Sequence, residues 1–321
     1  MTKTKWYAKP IYLMLALALV LALGIVAVPA VEAQPAVMFY SEAALDGFVF
    51  EAGPVGTTKA INLGDTSINH KIRGFVSFDI SSIPAGTTIL TATLRMHQNT
   101  VAGAPYTDLG DVIVDHLDYG GSLNAGDFNL AALQSNIGIL STTSTIGWKT
   151  LSVTSSVQDD INNTRARSQY RLRFYPDETD NNNDFDQVVF ESGDDYFENS
   201  EIPELVVTAL LPEVWVDDTG PSCPGTGSGT QADPYCKIQD GIDNVAEGGT
   251  VHVYPGAYCE NLLIDKSLTL QSTDGWQVTA IDDIATDAKI TIQGPVEVTV
   301  QGFDIWGGTQ GIHVGSIEKK V

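Results

Sequence analysis

Between Phe174 and Cys236 the chain has no lysine, arginine or histidine, against fifteen aspartates and glutamates. Basic residues are scarce throughout, 17 Lys and Arg facing 40 Asp and Glu for a net charge of −23. A field of that sign repels nucleic acid and anionic lipid, which excludes phosphate-binding roles. Cysteine is nearly absent as well, with three residues, all beyond position 222. No CxxC or HxxxH spacing exists, which argues against zinc, and no G-x-S-x-G elbow is present for a serine hydrolase. Asp and Glu are so abundant that a pair of carboxylates for glycoside hydrolysis carries no information. Stretches of helical period are almost missing, while glycine, Thr, Val and Ile are plentiful, and this texture predicts an all-β chain.

One long apolar run exists. Ile11 to Ala30 is uncharged, preceded by Lys3, Lys5 and Lys9 and followed by Val31-Glu32-Ala33. A basic start, an apolar core and small residues at the end form an export signal, cleaved after Ala33 to leave Gln34 first. Retained, the same segment is long enough to act as a membrane anchor. Both readings place the remainder outside the cell, secreted or at the cell surface, with no other contact with membrane.

Between Phe39 and Leu211 apolar and polar residues alternate in short runs. Val76, Phe78 and Ile80 share one face, as do Ala92, Leu94 and Met96, Leu172 and Phe174, and Leu205 and Val207. Half-buried strands separated by Gly, Pro and Asn turns predict a sandwich of two antiparallel sheets. A short helix is expected over Ser155 to Asn162, with Thr154 as its N-cap. Trp148, Phe78 and Phe190 are read as core. Loop aromatics are the candidates for stacking on a sugar ring: Tyr106, Tyr119, Tyr196 and Phe197.

Within the base-free run, Asp180, Asn182, Asp184 and Asp186 place oxygen side chains at every second residue. Self-repulsion of this density favours a bound cation, for which Ca2+ in a structural role is the hard, oxygen-seeking candidate. Glu191 completes a superficial EF-hand spacing, but Phe185 stands where that loop needs glycine and strands flank the segment. The choice lies between a calcium loop of another kind and a solvated hairpin loop.

After Pro212 the texture changes. Val214 to Asp218 reads as a strand, a Gly- and Ser-rich loop follows, and Lys237 to Ala246 forms an amphipathic helix stopped by Gly248-Gly249. Leu268-Thr269-Leu270, Ile290-Thr291-Ile292 and Ile312-His313-Val314 stand 22 residues apart, with Val278 and Val300, and Ile281 and Phe303, at the same interval. Repetition of this kind predicts a solenoid of stacked coils. Cys223 and Cys236 are the first choice for a disulfide, leaving Cys259 odd, with Cys236 to Cys259 as the alternative. His97, His252 and His313 alternate with apolar residues and are assigned to exposed sheet faces.

Two resemblances accompany these readings. The run from Gly74 to Met96, Trp148 with Leu151 to Asp159, and Ile202 to Thr208 together resemble the landmarks of DNRLRE-type, disaggregatase-related β-sandwich domains over residues 37–211. This implies a jelly-roll module of the carbohydrate-binding type. Val214 to Asp218, Gly229 to Tyr235 with Ile238-Gln239, and Gly248 to Tyr258 with Glu260-Asn261 are similar to the start of right-handed parallel β-helix proteins of the pectate-lyase-like superfamily. That resemblance implies that the helix at 237–246 caps the coil. It brings no catalytic base, since Lys289, Lys319 and Lys320 are the only lysines or arginines after Ser267.

The expected organisation is therefore a leader over 1–33, a sandwich over 34–211 and a β-helix over 212–321 that reads as truncated, a complete short protein being the alternative. The expected function is a non-catalytic glycan-binding or adhesive protein whose partner is a polysaccharide or cell-surface glycan. The alternative is the front part of a modular polysaccharide lyase or glycoside hydrolase.

Overall fold

The computed structural model describes residues 36–56, 60–194, 201–225, 227–282, 288–307 and 310–315. The apolar run from Ile11 to Ala30, read above as an export signal, lies outside the described residues. The first region contains β1 (Val37–Tyr40), β2 (Gly47–Phe50), β3 (Val55–Gly56), β4 (Ile61–Asp65), β5 (Lys71–Asp79) and the long β6 (Thr88–Ala102). One helical turn, α1 (Pro105–Asp108), precedes β7 (Asp111–Leu117). After a 3-10 turn at Ala125–Asn129 come β8 (Gln134–Ser141), β9 (Gly147–Ser152), α2 (Thr154–Asn162), β10 (Arg167–Tyr175), β11 (Gln187–Phe190) and β12 (Glu204–Val216).

The fold is all-β, and every pairing in this region is antiparallel. One layer runs β1-β12-β6-β9. The far end of β6 pairs with β11, and the sheet continues through β4, β5, β10, β7 and β8, so β6 carries the chain from one layer to the other. The alternating residues meet where expected: Val76, Phe78, Ile80, Ala92, Leu94, Met96, Leu172, Phe174, Phe190, Leu205 and Val207 form one buried cluster. Period-2 alternation on facing layers produces this without further instruction. Helix α2 adds Val157 and Ile161 to the cluster. Thr154 does not cap it, because its hydroxyl accepts the Ala92 N–H of β6 at 2.9 Å.

The outer side of β5, β10 and β7 is not left to solvent. Phe75, Leu117, Tyr119, Leu123 and Phe128 form a second buried cluster, with the connection after β7 folded over the sheet. Charged residues are trapped beneath it. Asp115 is bound by Arg171 at 2.7 Å and Arg173 at 2.8 Å, and Arg171 also donates to the Phe128 and Leu130 carbonyls. Burial alone would raise the Asp115 carboxyl, but hydrogen bonds from Arg173, the Asn136 N–H and Arg171 hold it below the usual carboxylate range.

The second region continues along the same strand. Residues Glu213 to Val216 of β12 pair in parallel with β13 (Val245–Val253), after α3 (Ile238–Asn244). Then follow β14 (Gly256–Cys259), β15 (Leu262–Ile264), β16 (Leu268–Ser272), β17 (Thr279–Asp282), β18 (Ala288–Ile292), β19 (Val298–Gln301), β20 (Asp304–Trp306) and β21 (Gln310–Val314). They stack as three parallel ladders, β12-β13-β16-β19, β14-β17-β20 and β15-β18-β21, which is a three-faced β-helix. Identical positions form apolar columns, Val214 on Val251 on Leu270 on Val300. Each fully buried member stabilises the coil by roughly 1.5–3 kcal/mol.

The spacing of 22 corresponds to real stacking only between β18 and β21, where Ile290 pairs with Ile312 and Ile292 with Val314. Leu268 pairs with Val298 rather than Ile290, Ile290 pairs with Leu262, and Ile281 pairs with Ile305 rather than Phe303. Corners of unequal length separate the strands, so successive coils differ in residue count. Helix α3 ends at Asn244, and Val245 already belongs to β13. Gly241 lets the helix approach, since a Cβ there would lie 2.8 Å from Val216 and 2.9 Å from Val251 side chains. The Glu260 carboxylate accepts the N–H groups of Ile238 and Gln239 at 2.8 and 3.0 Å, satisfying two donors at the start of the helix.

Candidate functional site

Among the described residues no segment folds over the outer face of β9-β6-β12-β1 beyond its His97 end, where Glu201 lies 2.9 Å from the imidazole, in contrast to the covered face of β5, β10 and β7. Side chains of one parity point outward: Trp148, Thr150 and Ser152 from β9, Thr91, Thr93, Arg95 and His97 from β6, Glu204, Val206 and Thr208 from β12, Met38 and Tyr40 from β1. The register places His97 opposite Trp148, Arg95 opposite Thr150 and Glu204, and Glu204 opposite Tyr40. Arg95 pairs with Glu204 and lies over the Trp148 ring, 4.7 Å from its centroid. The Thr91 and Thr208 hydroxyls meet at 2.7 Å. The platform thus has polar groups at its centre and an aromatic ring on each edge strand, Trp148 partly exposed and Tyr40 at 55%.

Two sequence assignments change here. Trp148 is not a core residue; it alternates with Lys149 and Leu151 and shares parity with Thr150 and Ser152, a signal readable in the sequence. Phe78 and Phe190 are core, as expected. His97 is buried rather than exposed, its Nε2 2.9 Å from Glu201 and its Nδ1 2.5 Å from Asn99, whose amide reaches Glu191 at 2.9 Å. Glu191 thus belongs to this network, away from the acidic loop.

The aromatics proposed from loops are placed differently. Tyr106 packs against the sandwich core, its ring edge-on to Phe174, and its hydroxyl donates to Gln98 at 2.5 Å. Tyr119 is only 6% exposed, set edge-on to Phe75, with its hydroxyl donating to the Leu45 carbonyl at 3.3 Å. Both rings are committed to packing. Tyr196 and Phe197 lie outside the described residues.

At the other end of the sandwich the acidic loop meets β4. One carboxylate oxygen from each of Asp65, Asp180 and Asp186 falls within 4.8 Å of the others. Asn182 and Asp184 are exposed and turn back on the loop, the Asn182 N–H donating to Asp180 at 3.0 Å and the Asp184 N–H to Asn182 at 2.5 Å. Asp65, contributed by a strand 115 residues earlier, had no local signal to mark it. Two glycines with positive φ seat Asp186. A Cβ on Gly64 (φ +137°) would lie 2.0 Å from the Asp186 carbonyl oxygen, and one on Gly103 (φ +71°) 2.2 Å from its carboxylate. Burial first, then the charges of Asp180 and Asp186, push the Asp65 carboxyl up to about 6, moderated by the Asp180 and Asp186 backbone amides. Three carboxylates at this separation repel by about 3 kcal/mol per pair in a protein-like dielectric. His116, Asp159 and Asp160 form a second close group, but the Arg165 guanidinium lies 2.6 Å from Asp159 and 3.0 Å from Asp160, so an internal cation already neutralises it.

Cys223 and Cys236 are joined as a disulfide across the Gly-rich loop. Cys259 is exposed, its thiol 3.2 Å from an Asp282 carboxylate oxygen. Among the described residues no helix is long and apolar enough to cross a membrane.

Residues 56–207, most of the sandwich, match the family model described as TGF-beta propeptide. The chain is also 36% identical over 85 residues to a protein of Methanothermus fervidus named "Cell surface glycoprotein". That similarity takes in 26% of this chain and 14% of the relative, so the chain spans a small part of that protein's length.

Proposed function

We propose that this chain is a surface-displayed glycan-binding or adhesive protein, in which the outer face of β9-β6-β12-β1 holds the ligand and the β-helix extends it from its support. The observation that carries this reading is the uncovered face itself, with Trp148 and Tyr40 on its edge strands and Arg95, Glu204, Thr93 and Thr208 between them. A saccharide offers apolar C–H faces and a ring of hydroxyls, and this platform supplies aromatic surface for the first and paired polar groups for the second. The similarity to a cell surface glycoprotein, the leader-like Ile11 to Ala30 segment and the resemblance to carbohydrate-binding sandwiches agree with that role. The net negative charge favours neutral or basic glycans over anionic ones.

A glycan array probed with the full chain, and with W148A and Y40A, tests the proposal. Saturable binding to a defined glycan that weakens at least tenfold in W148A supports it. Absence of binding across the array, or equal binding by both variants, overturns it.

A further inference from the structure

We propose that Asp65, Asp180 and Asp186 bind a divalent cation of the calcium class, tying the acidic loop to β4 and to the chain entering β11. The three aspartates converge from different segments, and their free oxygens are what the rest of the fold leaves over. Asp65 is 0% exposed, and neither of its carboxylate oxygens has a hydrogen-bond partner of ordinary geometry. Asp186, 1% exposed, has one oxygen held by the Ala104 N–H and the other without a partner. Asp180 repeats the arrangement, one oxygen accepting from the Asn182 N–H and the other buried and unpartnered. None of the three enters an ion pair among the described residues, and Asp108 adds another carboxylate nearby.

Buried polar atoms without partners are rare in folded proteins, and four oxygens from three neighbouring carboxylates call for a common partner. That partner must be cationic to relieve the repulsion, and no arginine or lysine among the described residues pairs with any of the three. The donors are all oxygen, which favours a hard ion over zinc or copper. The glycines at 64 and 103 hold Asp186 against the backbone of two other segments, so the site is set by the sandwich rather than by the loop alone.

The test is calorimetric titration of the EDTA-treated, dialysed full chain with CaCl2, with thermal melting in Ca2+ and in EDTA. One equivalent of Ca2+ is expected to bind and raise the melting temperature. Asp65→Asn and, as a second variant on the half-exposed loop position, Asp180→Asn are each expected to weaken binding at least tenfold while melting in EDTA no lower than the parent, because one repelling charge is gone. Asn182→Ala and Asp184→Ala are expected to bind as the parent does. Absence of Ca2+ binding by the full chain, unchanged binding in both Asp65→Asn and Asp180→Asn, or loss in Asn182→Ala and Asp184→Ala equal to theirs would overturn the proposal.

Discussion

The sandwich and the β-helix share a strand, β12, yet their interiors are built from different chemistry. Beneath and around its apolar cluster the sandwich buries Asp46, Asp65, Asp115, Asp160, Arg73 and Arg171, most of them tied into networks. Among the described residues of the coil the interior is mostly Val, Leu and Ile with Tyr235 and Tyr258, and its buried polar side chains include Thr279 and Lys289. In a coil each inward position stacks on an equivalent neighbour one turn away, so like residues satisfy one another and a charge would stack on a charge. In the sandwich both faces of the β5-β10-β7 sheet are covered, and its second face has no solvent to hydrate the polar side chains placed there. Polar networks specify that packing, while repetition specifies the coil.

Removing the charge that organises the sandwich should have the largest effect. Asp115→Ala leaves the buried Arg171 and the partly buried Arg173 without their shared carboxylate, and urea unfolding should show a loss of about 3–5 kcal/mol. A loss under about 1 kcal/mol would mean that the network contributes little to the packing.

Asp46 offers a pH-dependent version of the same question. Burial first, offset in part by Ser41 and the N–H groups of Gly193 and Ser77, pushes its carboxyl up to about 7. The folded protein therefore keeps a proton that the unfolded chain releases near pH 4. Stability from this group is full below pH 4 and falls as pH rises toward 7, by on the order of 4 kcal/mol. Unfolding free energies of the parent and Asp46→Asn, measured from pH 4 to 8, should differ in slope over that window and run parallel above it.

In the coil, the matching perturbation is a cavity rather than a charge. Leu270→Ala removes one member of the Val214-Val251-Leu270-Val300 column and should cost about 3 kcal/mol, independent of pH, in the same unfolding assay. A pH-dependent cost would contradict an apolar lumen. Reduction of the Cys223–Cys236 disulfide should have the smallest effect, about 2–3 kcal/mol by the loop-closure argument, read as a lower urea midpoint with dithiothreitol. Its influence should be confined to the coil and leave the Asp115 effect unchanged.

The strands at 76–80, 92–96, 171–174 and 205–209, the helix expected over 155–162, the disulfide and the presence of a stacked coil were all legible in the chain, because each rests on periodicity or short-range spacing. The acidic loop was legible as a place where charge accumulates, and two of its four marked residues, Asp180 and Asp186, do converge. Asn182 and Asp184 failed because an every-second-residue pattern describes an extended strand, whereas this loop turns on itself. Tyr106 and Tyr119 failed because proximity to glycine and proline does not reveal whether a later segment will close over a ring.

Sequence alone determined that alternate residues of each strand face opposite ways, that the chain is all-β, and that charge of one sign gathers between β10 and β12. Tertiary structure decided which of the two faces is covered: the 118–133 connection closes over β5, β10 and β7, whereas among the described residues β9-β6-β12-β1 is closed only at its His97 end, by Glu201. It also brought Asp65 to Asp180 and Asp186. Period and composition are local properties of a chain, but covering a face or completing a cluster requires segments far apart in sequence to meet, and only the packed layers bring them together.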